Sequence, residues 1–426
     1  MVSTEQRECA KCIVKLDFEN AFNTLSRDFM LQRLRETFPG LARFAYWCYR
    51  NDSNLLFHSK ILKSAAGVQQ GDPLGPLIFS TAIHDMVTRC KSLEVGGRKL
   101  DVCAFYLDDG VIAGDMDVVS AVVQHVVANA AAMGLRLNVG KCELILPTAV
   151  TDVDLSTLFP AALLVDTATG APRTNITGDF ELLGAAIGCA DFCTEYANAK
   201  VNKASELLAK IAKLDDPQVS VRLLQRCAGV CKITHSMRLT PPDLHADALR
   251  RFDVNVRSCF SASTGTMPNQ AQWDQACRGV GQAGFGLGSA ELHKEAAFLS
   301  SACSSRALCH AIDGSFVLGG AIASSDFGRA LAAYNSLLPP GQHAAPDAIS
   351  GSSQKALSKA VNEVGHGKRL AEASLVDRAT LLSECEDGAK QFWTMVPSVT
   401  AGLAVPPAEF VVELKFRRCM LDGDAT

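Results

Sequence analysis

The chain is 426 residues long, 48% hydrophobic and 20% charged, with a formal net charge of −4. No run of about 18 apolar residues stands in it, which argues against a membrane-spanning helix, and residues 1–12, MVSTEQRECAKC, lack the apolar core of a secretory signal. The charge balance gives no global support for a polyanionic partner. The 16 cysteines are scattered without a framework, which fits free thiols in a reducing compartment, cytoplasmic or nuclear.

Taken in order, residues 12–18, CIVKLDF, read as a short buried strand ending in Asp17. Cys9-x-x-Cys12 resembles half of a zinc site, but no second pair follows at suitable spacing, so it is read as two thiols. A helix is expected from Ser26, with Asp28 in its first turn, stopped by Pro39-Gly40. A second helix spans 41–50 and a strand 54–63. The stretch GVQQGDPLGPLIFS, 67–80, places three glycines and two prolines ahead of and inside the entry to an apolar helix, with Asp72-Pro73 as its expected cap and first turn. Either it is a plain loop entering a core helix, or glutamine amides and bare backbone here face a flat ligand.

The stretch AFYLDDGVIA, 104–113, reads as two short strands joined at Asp108, Asp109 and Gly110. It is either an ordinary surface turn or a hairpin tip whose two carboxylates, crowded and partly stripped of water, require a cation. A helix over about 116–132, capped by Asp115 and ended by Gly134, and a strand over 135–146 carrying Lys141 complete the first part. The expected architecture is α+β, an antiparallel sheet with helices packed on one face.

LDFENAF, GVQQGDPLGP, YLDDGV and LNVGKCEL stand in the order and rough spacing of the motifs of a polymerase palm. Over about residues 12–190 the chain resembles the reverse transcriptases of non-LTR, LINE-type retrotransposons. Residues 178–184, GDFELLG, look like the primer-grip hairpin of that family, and the likeness extends more loosely to KQFWTMVPS and FRRC near the end. The resemblance implies RNA-directed DNA polymerase activity: a dNTP added to a DNA primer 3′-hydroxyl on an RNA template. It implies two Mg²⁺ ions, or Mn²⁺ in their place, about 3.5–4 Å apart. Asp17 and Asp108 are then the ligands and Asp109 the supporting carboxylate. Phe22 takes the place of the steric gate against a 2′-hydroxyl. Phe18, Gln70 and Gly71 lie against the incoming nucleotide or the template, and Lys141 becomes the proton donor to pyrophosphate. Read from the residues alone, Phe22 is equally a core aromatic and Lys141 a solvated lysine.

Residues 147–177 read as an irregular connection. Residues 196–257 read as helices carrying 11 Lys plus Arg against 6 Asp plus Glu, a local net charge of +5; such helices look like a thumb following a duplex backbone. Residues 262–290 read as a linker. Helices are expected over 291–308, 327–338, 353–364 and 370–392. The domain plan is 1–190 palm with connection, 191–260 thumb-like, and 261–426 a C-terminal mostly helical region. Only 16 residues precede Asp17, so the reading is a chain truncated at its N-terminus with the fingers missing. The alternative from another class is an inactive retroelement remnant with at most weak nucleic-acid binding.

Overall fold

The computed structural model describes residues 10–147, 154–166, 168–318, 324–345, 349 and 352–417. Cys9 and the Arg418-Cys419 end of FRRC lie outside the described residues. The chain divides into two compact units, Met1–Asp179 and Phe180–Thr426.

The first unit is built on a four-stranded antiparallel sheet of order β4-β5-β1-β6, with β1 Lys11–Leu16, β4 Val102–Tyr106, β5 Asp109–Asp115 and β6 Glu143–Ile145. Alternation along β1 turns Cys12, Val14 and Leu16 into the core and leaves Ile13 and Lys15 on the other face. On the core face lie α4 (Gly75–Ser92), through Ile78, Phe79, Ala82 and Met86, and α5 (Met116–Ala130), through Val119, Val122, Val123 and Val126. The segment Met116–Met133 is long and apolar enough to cross a membrane by composition, yet Val119, Val122, Val123 and Val126 are part of this core.

Several sequence expectations are corrected here. The 54–63 strand is a hairpin, β2 Ser53–Phe57 and β3 Lys60–Ser64, turning at His58 with φ 51°. Pro39 ends one helix, α2 (Arg27–Thr37), and also opens the next, α3 (Pro39–Tyr49), because proline fits the first helical turn. Asp72 does not cap α4, which begins three residues later. Its carboxylate instead accepts the Tyr49 hydroxyl and the Leu74 N–H (2.9 Å). Asp115 precedes α5 without a side-chain cap bond and is ion-paired to Arg98 at 3.1 Å. The 135–146 strand shrinks to β6, and the residues before it form a turn closed by Lys141 N–H to Asn138 carbonyl at 2.8 Å.

The second unit opens with a hairpin, β7 Phe180–Leu182 and β8 Ala185–Ile187, and is otherwise helical: α7 (Ala190–Ile211), α8 (Pro217–Leu223), α9 (Thr234–Leu239), α10 (Pro242–Thr264), α11 (Gln270–Cys277), α12 (Ala290–Ile312) and α13 (Asp326–Ser336), then helices at Gln354–Glu372, Leu375–Glu384, Asp387–Thr394 and Pro407–Arg417. One core joins Leu208, Phe252, Phe260, Trp273, Phe285, Trp393, Phe410 and Leu414, with Phe285 and Trp393 edge-to-face at 4.8 Å. The boundary drawn at 260 falls inside α10. The region read as a linker holds α11, started by an Asn269–Gln272 capping box whose polar residues mimic loop composition. The helix expected over 370–392 is broken at Ala373 and again at Cys385.

Candidate active site

Asp17 is the first residue past β1, whose last pair with β5 is Leu16 with Gly110. Continuing that antiparallel register sets Asp17 opposite Asp109, the first residue of β5. The turn between β4 and β5 is the two residues Leu107 and Asp108, closed by the pair Tyr106–Asp109. Thus the sheet brings Asp17 and Asp109 to one strand end, with Asp108 at the adjoining tip. Gly110 is not at the bend. It is a buried strand residue, and a Cβ there would meet the Phe105 ring at 2.6 Å. The turn needs one residue in the left-handed region, and Leu107 supplies it with φ 60°, a conformation costing an L-residue about 1 kcal/mol. Packing of Leu107 against the sheet core holds it there.

Asp17 is fixed through its backbone. Its carbonyl accepts the Asn138 N–H at 2.8 Å, and its own N–H faces the Cys142 sulfur at 3.4 Å. Partial desolvation, then the charges of Asp108 and Asp17, hold the Asp109 carboxyl above the usual carboxylate range, and Lys15 pulls it back. Lys15 was missed in the sequence as part of this site. It lies two residues before Asp17, on the same strand face, and is itself paired to Glu143 at 3.0 Å. The period-two alternation of β1 was the signal that could have found it. Among the described residues, no three His, Cys, Asp or Glu side chains are gathered closely enough to enclose a metal ion by themselves. Mg²⁺ is usually held by one or two carboxylates with water and substrate phosphates. Under-neutralised carboxylates at one strand end fit such a half-shell.

Because ionised Asp109 is disfavoured in the fold, stability falls as pH rises from below the ordinary carboxylate range through its raised pKa. Asp109→Asn is therefore expected to melt about 1–3 °C higher than the parent at neutral pH and at the same temperature in acid. A difference that persists in acid contradicts the repulsion account.

Phe22 is half-buried and stacks on Phe79, with centroids 4.6 Å apart and planes 8° from parallel. Its carbonyl accepts the Val68 N–H at 2.7 Å, which lays the loop carrying Gln70 and Gly71 against the start of α1 (Ala21–Thr24). Gly67 permits this approach: a Cβ there would lie 2.1 Å from the Phe22 carbonyl oxygen. Tyr49 braces the loop, its hydroxyl accepting the Gln69 N–H at 3.2 Å. Gln70 and Gly71 are exposed, and Gly71, at φ 94°, has open space where a side chain would be. Lys141 is exposed on the turn that also contributes the Asn138 N–H to Asp17. Phe18, expected near a nucleotide, is only 3% exposed and sits in the core.

Residues 2–186 match the family described as reverse transcriptase (RNA-dependent DNA polymerase). The chain is 27% identical over 140 residues to a retrovirus-related Pol polyprotein from type-1 retrotransposable element R2 of Nasonia vitripennis, covering 31% of this chain and 14% of that protein. It is 26% identical over 150 residues to the R2 polyprotein of Popillia japonica, covering 33% and 25%. The chain thus spans a quarter or less of the length of these relatives. A structure of telomerase from Candida albicans with a TWJ fragment of telomeric RNA aligns over 72% of this chain and 50% of that one, at 10% identity and a TM-score of 0.27. The first unit of the chain is a reverse transcriptase domain. Its kinship is with the non-LTR, LINE-type elements.

Proposed function

We propose that this domain is the palm of an RNA-directed DNA polymerase that transfers a dNTP to a primer 3′-hydroxyl on an RNA template. The observation that carries the reading is the meeting of Asp17, Asp108 and Asp109 at one strand end inside a reverse transcriptase domain. Asp17 and Asp108 would hold two divalent ions, Mg²⁺ or Mn²⁺, with Asp109 in support. When bound, such ions favour the ionised primer hydroxyl and neutralise the charge developing on the pyrophosphate. Phe22, braced by Phe79, would stand beside the sugar. The Gln70 amide and the bare backbone of Gly71 would face the nascent pair, and Lys141 would give a proton to the leaving pyrophosphate. Exposed Lys203, Lys210, Lys213, Arg226 and Lys232 of the second unit would meet phosphates of the template–primer duplex. The Phe180–Ile187 hairpin would serve as the primer grip. The free thiols accord with a reducing cytoplasmic or nuclear setting.

Incorporation of labelled dTMP on an adenine-homopolymer RNA with an oligo-dT primer tests the proposal. Incorporation that survives chelation of divalent ions contradicts it. Phe22→Ala is expected to raise ribonucleotide use relative to deoxynucleotide roughly tenfold, because selectivity by clash is lost with the bulk. Equal loss for both substrates would leave Phe22 a packing residue only.

A further inference from the structure

The second unit holds a cavity of about 580 Å³, a size that suits a small molecule or a single nucleotide. One wall is the Gln354–Glu372 helix and another is the end of α11, where Arg278 begins the chain's exit. Gly365 of that helix has no side chain where the Arg278 guanidinium lies; a Cβ there would be 2.6 Å from one terminal nitrogen and 2.8 Å from the other. The guanidinium donates to the Asn362 carbonyl at 3.1 Å, and its Nε is buried with no hydrogen-bond partner. Beside it the Nδ1 atoms of His293 and His366 and the Nε of Arg369 are likewise buried and unsatisfied. Buried polar atoms without partners are costly, and three of them around a guanidinium whose own Nε is also unpartnered require an explanation.

None of Arg278, Lys368 and Arg369 makes an ion pair among the described residues. The cavity's carboxylates have partners of their own in its wall. Asp253 accepts the Ser289 hydroxyl at 2.6 Å and the Ala290 N–H at 2.8 Å, Glu291 pairs with Arg250 at 3.1 Å, and Asp274 accepts the Gln270 amide at 2.7 Å. Burial and then the Arg278 charge lower the His366 pKa; burial likewise lowers that of Arg278, which the Asp274 carboxylate raises and the Arg369 charge lowers again. The guanidinium is thus partly buried beside a second cation without a carboxylate in ion-pair contact among the described residues, an arrangement that suits an anion. Trp273 also lines this cavity, but it is only 5% exposed, packed in the core with Arg257 over its ring at 5.8 Å.

We infer that this cavity binds a phosphate-bearing nucleotide, its phosphate on Arg278 and Lys368. The phosphate could belong to a free nucleotide or to a strand end. The site is independent of the polymerase reading.

The test is isothermal titration of the full chain with AMP, adenosine, and an oligothymidylate carrying either a 5′-phosphate or a 5′-hydroxyl. AMP is expected to bind and adenosine not. Lys368→Glu changes an exposed side chain and so leaves the fold intact; it should weaken AMP about tenfold or more. Gly365→Ala, which displaces the guanidinium, should weaken it similarly. A phosphorylated strand that binds more tightly than AMP identifies a strand end as the source, and equal affinity identifies the free nucleotide. Equal binding of AMP and adenosine, no binding of either, or full AMP affinity in Lys368→Glu overturns the assignment.

Discussion

Asp17→Asn is expected to reduce nucleotide transfer about a thousandfold or more while leaving the domain folded. The substitution keeps the side chain's size and removes its charge. A metal-held transition state draws several kcal/mol from such charge stabilisation, and each 1.36 kcal/mol is tenfold in rate. The backbone bonds that fix Asp17, from Asn138 and against Cys142, do not involve the carboxylate and should survive. Asp115→Asn is the control. It lies at the far end of β5, is paired to Arg98, and should leave transfer nearly unchanged. Single-turnover incorporation with both variants, beside their melting curves, reads the difference. Loss of transfer in Asp115→Asn equal to that in Asp17→Asn would mean that general destabilisation, not the site, is being measured.

A large stability effect is expected at Gly67. Alanine there must hold φ 68° and place a Cβ 2.1 Å from the Phe22 carbonyl and 2.5 Å from the Asn23 Cα, both backbone atoms that cannot step aside. Backbone strain and overpacking together amount to roughly 2–4 kcal/mol, a fall of roughly 8 °C for a unit of this size. Gly71→Ala makes the contrast. Its φ of 94° is also unfavourable, but the space is open, so the cost is backbone strain alone, about 1 kcal/mol. Thermal unfolding of the two variants should therefore separate widely. Similar melting points would show that the loop is not wedged against Phe22 as the structure has it.

The motifs around Asp17, Gly67 and Asp108 were legible because each combines a strand end or turn with residues that have few other uses. An apolar run ending in carboxylates, or a loop with three glycines before a helix, constrains the chain locally. The lateral partners were not legible. That Asp109 faces Asp17 follows from the β1–β5 register, which joins residues far apart in sequence. That Asp72 accepts Tyr49 rather than capping α4 depends on α3 packing beside the loop. Phe18 carries the alternation of β1 into the core after Leu16, between the partly exposed Asp17 and Glu19. In the second unit, Trp393 and Phe410 return to the core of α10 and α11 over more than a hundred residues, a closure that periodicity does not report. The Arg278 cavity was hidden for the same reason: α11, α12 and the Gln354–Glu372 helix each contribute one or two polar residues that look ordinary alone.

The most direct test is primer extension by the chain on an RNA of mixed sequence, with all four dNTPs and Mg²⁺, beside Asp108→Ala, followed by sequencing of the product. The account predicts DNA complementary to the supplied RNA from the parent chain and none from the variant. Product of the same amount and sequence from both proteins, or silence from both, would contradict the assignment of this carboxylate cluster as the polymerase centre.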